Sequence, residues 1–211
     1  MKHGVKRMLC ALCCLSVLAA QTACTTHNEP VSEKPVLYLY PEEETEVTVT
    51  LDLDGVLTSA YPDYGEGWSV TAAPDGTLTD GNGREFYCLF WEGAVETEYD
   101  FSAGFCVAGE DTAAFLEEAL ASLGLTAREV NEFLIYWLPR MEDHPYNLIA
   151  FQTDSYTSAA GLTISPSPDT LIRVFMAWKG LEQQVEIPAQ QLEAVERKGF
   201  TAVEWGGAEI L

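Results

Sequence analysis

The sequence predicts an α+β domain. A mainly antiparallel sheet, meander- or sandwich-like, carries a helical hairpin at about residues 112–138 on one face, with a short helix near the C-terminus. Three observations predict it. Short alternating segments recur between Gly-, Pro- and Asp-rich turns from residue 36 to 107, with no helical period between them. The period then changes to that of two amphipathic helices. Strand-like segments return after residue 147.

Val36 to Tyr40 reads as a short strand stopped by Pro41. From Glu46 to Leu53 the alternation is clean, with Val47, Val49, Leu51 and Leu53 on one face. Asp54-Gly55 is a two-residue hairpin signal, and Val56 to Ser59 reads as the return strand. Pro74-Asp75-Gly76 separates Trp68–Val70 from Thr77–Thr79. Asp80-Gly81-Asn82-Gly83 leads into a strand from Arg84 to Trp91.

Asp111 can cap a helix over Thr112–Leu123 that Gly124 closes. Thr126-Ala127-Arg128-Glu129 is a capping box, starting a helix with Val130, Phe133, Leu134, Trp137 and Leu138 on one stripe, stopped by Pro139. So short a link lays the helices side by side, and their stripes must cover a sheet face. Strands follow at Asn147–Gln152, Leu162–Ser165, Leu171–Trp178, Val185–Ile187 and Phe200–Trp205. A helix is expected over Ala189–Lys198.

Residues 1–23 have the form of an export signal: Lys2, Lys6 and Arg7, then an apolar run from Met8 to Ala20 too short to span a bilayer, then a small-residue exit. Ala23-Cys24 suits acylation of Cys24, the mark of a lipoprotein held at the outer face of the cytoplasmic membrane. Ordinary cleavage, giving a secreted protein, is the alternative. Residues 24–34 then read as a tether and 35–211 as one domain. The chain carries 33 acidic and 11 basic residues, a net charge of −22 that becomes about −25 without the leader. Such a surface disfavours nucleic acid and anionic lipid as partners.

Few residues suggest chemistry. Export permits Cys88 and Cys106 to form a disulfide; equally, each could be a buried thiol. Val47–Thr58 (VTVTLDLDGVLT) imitates the signature of haloacid-dehalogenase-like phosphatases, with Asp52 as nucleophile and Asp54 as acid/base. That chemistry needs a phosphate-stabilising Lys, a later acidic pair and a βαβ crossover. No acidic pair follows Lys179, and no helical period follows Thr58. His144 stands alone among acids, and no catalytic residue is assigned. No metal is assigned either; Asp75–Gly83 could take Ca²⁺, but turn chemistry explains it more simply.

The candidate ligand surface is aromatic and acidic: Tyr61, Asp63, Tyr64, Glu66 and Trp68 in one loop, with Glu204 and Trp205 before Gly206-Gly207. KPVLYLYP (34–41), GREFYCLFWEG (83–93), NEFLIYWLP (131–139), PDTLIRVFM (168–176) and RKGFTAVEWGG (197–207) resemble a family of uncharacterised exported proteins and lipoproteins of Gram-positive bacteria. The resemblance implies one exported domain and brings no catalytic residue. The expected function is a cell-envelope module that binds a glycan, a peptide or an envelope protein. The alternative is a polymer hydrolase using an acid pair.

Overall fold

The computed structural model describes residues 31–95 and 97–210. The signal segment and Cys24 lie outside the described residues. Among the described residues, twelve strands and three α-helices build an α+β fold dominated by sheet, in three layers. The strands are β1 (Val31–Tyr40), β2 (Thr45–Leu53), β3 (Gly55–Tyr61), β4 (Trp68–Ala72), β5 (Leu78–Thr79), β6 (Glu85–Phe86), β7 (Leu89–Val95), β8 (Phe105–Ala108), β9 (Tyr146–Gln152), β10 (Ala160–Ser165), β11 (Thr170–Leu181) and β12 (Thr201–Glu209). The helices are α1 (Thr112–Ser122), α2 (Ala127–Met141) and α3 (Asp154–Ala159). The large sheet runs β3-β7-β1-β12-β11-β9-β8, and the small one β10-β2-β4-β5-β6. All pairings between these named strands are antiparallel except β11 with β12.

Strand alternation divides the core in two. On β1, Leu37 and Leu39 point between the sheets, where they meet Val47, Val49, Trp68, Val70 and Trp91. Val36 and Tyr38 point the other way, under α1 and α2, among Phe133, Trp137, Trp178 and Trp205. The capping box holds as expected: the Glu129 amide donates to Thr126 Oγ1 (3.4 Å), and the Thr126 amide donates to Glu129 Oε2 (2.7 Å).

Four expectations are corrected. The Asp54-Gly55 turn is not a hairpin, because β2 belongs to the small sheet and β3 to the large one. Gly55 is the corner; a Cβ there would collide with the Ala94 carbonyl oxygen. The expected strand over Arg84–Trp91 is likewise split, β6 ending in one sheet and β7 starting in the other, with Tyr87-Cys88 as the crossing. Pro139 lies inside α2. It stands on the exposed side with Ile135, whose carbonyl can turn to water. Residues 182–199 contain neither the expected strand nor the expected helix. The Gln190 side chain instead bonds both backbone groups of Phe151, and Ala189 bridges Gly104. Tertiary ties override local propensity there.

Candidate functional site

The structure distributes the expected site residues between core and surface. Trp68 is buried, its indole N–H donating to the Pro62 carbonyl at 2.8 Å. Tyr64 packs edge-on against it at 4.9 Å and accepts the Leu51 amide at 2.8 Å. Asp63, Glu66 and Tyr61 are exposed. The loop thus binds itself, leaving Tyr61 as its outward ring. Glu204 and Trp205 are each 1% exposed and point to opposite faces of β12: Glu204 lies between the sheets, away from any ligand surface, whereas Trp205 lines the inner wall of a cavity on the helical side. The Glu204 carboxylate accepts from Arg173 Nε (2.7 Å), the Tyr156 hydroxyl (3.0 Å) and Trp91 Nε1 (3.1 Å). Arg173 in turn donates to the Ala160 carbonyl. The charge pair joins neighbouring strands of the large sheet, its bond to Ala160 reaches across to the small sheet, and it is structural.

Cys88 and Cys106 are free thiols. β1, β12, β11 and β9 lie between their strands, a separation of about 20 Å or more, so the alternative of a bridge fails. Asp75 and Asp80 use their carboxylates on the amides of Thr77, Asn82 and Arg84. Those bonds hold both below the usual carboxylate range. Among the described residues no three His, Cys, Asp or Glu side chains gather as a metal site. No helix among them is long and apolar enough to cross a membrane.

A different site emerges around Lys34, assigned from the sequence to the tether. β1 begins at Val31, so Lys34 lies inside a central strand, and pairing with both β7 and β12 slips there. Lys34 has φ +59°, the only left-handed non-glycine among the described residues. A left-handed residue costs about 1–2 kcal/mol, and bulges re-aim side chains. Gly206 makes room: a Cβ there would stand 3.0 Å from Pro35.

Two adjoining cavities, about 490 and 380 Å³, share Lys34, Val36 and Tyr87. One runs under Tyr61, Phe86, Cys88 and Phe90; the other passes Glu132, Ile135 and Tyr136 of α2. Together they form a groove between the β6–β7 crossing and α2. Its rim carries the exposed apolar side chains Tyr61 (55%), Tyr87 (53%) and Ile135 (68%). Four of the five stretches that carry the family resemblance supply its walls, PDTLIRVFM being the exception.

Among the described residues the charges of the groove are paired except at Lys34 and at Glu85, which stands exposed at the mouth. Glu132 takes the Tyr38 hydroxyl (2.6 Å) and Arg128 (3.1 Å). Glu33 is held by Arg140 and the Tyr136 hydroxyl. The Lys34 ammonium lies 5.3 Å from the Phe90 centroid and 5.5 Å from that of Tyr136, with no carboxylate within 4 Å among the described residues. Burial, above all, pushes the Cys88 thiol up to about 11, although Lys34 opposes the shift, and the Tyr136 phenol up to about 12. Both are neutral at physiological pH.

Part of the chain is similar to a known protein. An uncharacterized protein in the bglA 3′ region of Butyrivibrio fibrisolvens is 46% identical over 63 residues, covering 28% of this chain and 65% of that protein. The match therefore spans just under two thirds of the relative. No protein-family model matches the chain, and no solved structure does.

The sequence concealed this groove for identifiable reasons. Lys34-Pro35 looks like the end of a linker, because proline is unusual within a central strand. The run Phe86–Trp91 looks like one buried strand, yet it changes sheets and turns Tyr87 outward. The signal that was present is Pro35 itself: a proline beside a strongly apolar strand marks a bulge as readily as a boundary.

Proposed function

We propose that this chain is a binding module of the cell envelope, exported and held through an acylated Cys24, that takes its ligand in the groove around Lys34. The carrying observation is the Lys34 ammonium, without a carboxylate partner among the described residues, on an aromatic floor in a chain whose acids outnumber its bases three to one. Ligand sites combine apolar walls with a few fixed polar groups, and this groove has that composition. The strained backbone at Lys34 points the same way, since strain persists where function requires a particular aim. Tyr61, Tyr87 and Ile135 supply flat or apolar surface for a saccharide or a peptide.

The hydrolase reading draws less support. The two carboxylates buried deepest, Glu129 and Glu204, are each committed to an arginine. At the groove, Glu132 is likewise committed, while Glu85 stands exposed at the mouth. The test is a glycan and peptide array probed with the mature chain and with Lys34→Gln and Tyr87→Ala. Retained ligands should be lost from both variants while thermal melting stays unchanged. Ligands that both variants retain would move the site elsewhere, and turnover of a retained saccharide would favour the hydrolase. Intact-mass measurement of membrane-extracted protein tests acylation of Cys24.

A further inference from the structure

We infer that the groove is built for a sugar carrying a carboxylate, stacked on the exposed tyrosines with its acid group on Lys34. This rests on the reading of the groove as a binding site and specifies what that site selects. An acidic protein ordinarily attracts cations and repels anions. Here pairing evens the local balance: Lys34, Arg128 and Arg140 stand against Glu33, Glu132 and Glu85. Glu33 and Glu132, the acids flanking the lysine, are held by Arg140 and Arg128. Glu85 is the remaining acid of the groove wall, exposed at the outer mouth beside Tyr61 and Phe86. An incoming anion therefore meets one uncompensated cation at the floor, framed by rings that exclude water from part of its surface.

The aromatic geometry favours a saccharide over a peptide. The groove lies where the chain crosses between sheets, and its walls are side chains. β1, which crosses the floor, has β7 and β12 on its two sides, and the edge strand at the wall, β6, is only two residues long, so an extended peptide finds little strand edge to pair with. Tyr61, held by Phe86 and Arg84, and Tyr87, with Arg128 over its ring, are instead half exposed, and their open ring surface can meet the apolar face of a pyranose. A carboxylate at the edge of that ring would then reach the ammonium. A charged hydrogen bond of this kind is worth about 10- to 100-fold in affinity.

Calorimetric titration of the mature chain with digalacturonic acid against neutral galactobiose, and with sialyllactose against lactose, tests this. Two pairs separate uronates from sialic acids as the source of the acid group. The carboxylated member of at least one pair should bind tenfold or more tightly than its neutral partner. Lys34→Gln should erase that difference, Lys34→Arg should restore part of it, and Tyr87→Ala should weaken both members alike. Thermal melting of each variant establishes that it folds. Equal binding of acid and neutral sugars would overturn the carboxylate assignment while leaving the groove a saccharide site. Binding of a free-acid peptide, but not its amide or any sugar, would overturn the sugar while leaving the groove a site. If nothing binds, or Lys34→Gln and Tyr87→Ala change nothing, the site itself is overturned.

Discussion

The loop from Tyr61 to Trp68 and the groove around Lys34 share a composition of aromatic rings and charges, but they use it in opposite ways. In the loop the polar ends turn inward: Trp68 N–H reaches Pro62, and Tyr64 Oη takes the Leu51 amide. In the groove Tyr87 and Ile135 face water, and Lys34 has rings beside it but no carboxylate within 4 Å among the described residues. An aromatic-acidic stretch is therefore weak grounds for binding; a polar group that the fold positions but does not satisfy is stronger.

Substitutions sharpen the contrast, beginning with the largest effect. Trp68→Ala should cost about 3–5 kcal/mol by chemical denaturation, because it empties a site between the sheets. Raising the pH should cost about 2 kcal/mol through Cys88: above pH 9 the unfolded thiol ionises while the folded one, at about 11, does not. Stability is thus complete below pH 9 and falls as pH rises to 11, a slope that Cys88→Ala should reduce. Tyr64→Phe should cost about 1–2 kcal/mol by leaving the Leu51 amide unpaired.

Lys34→Gly inverts the sign. It relieves the left-handed backbone and should stabilise the fold by about 0.5–1 kcal/mol while abolishing ligand binding. Destabilisation there would make Lys34 a structural residue and break the comparison. Tyr87→Ala should change stability by less than about 0.5 kcal/mol, because its ring is half exposed.

Local pattern made much of the fold legible. The helical hairpin, its capping box and the strands from Asn147 to Gln152 and Leu171 to Trp178 stand near their expected positions, because each contains its own periodicity and its own stop. Which sheet a strand joins was not legible. Asp54-Gly55 and Tyr87-Cys88 look like an ordinary turn and an ordinary strand interior, yet both are places where the chain changes layer. The Lys34 groove depends on the second of those crossings and on a bulge, and both are products of long-range pairing. Ala189–Lys198 failed as a helix for the same reason: Gln190 is bound to Phe151, 39 residues away in sequence.

The place of β1 has a consequence for how the molecule comes into being. The earliest described strand lies in the middle of the large sheet, and one of its two neighbours is β12, the last described strand. Leu37 and Leu39 therefore cannot be fully enclosed until the final segment arrives, and pairing across so much sequence is slow. A chain made or threaded from its N-terminus would hold its central strand open throughout that passage. Truncation after residue 200 should for that reason leave β1 uncovered and the product prone to aggregation, rather than a slightly smaller domain.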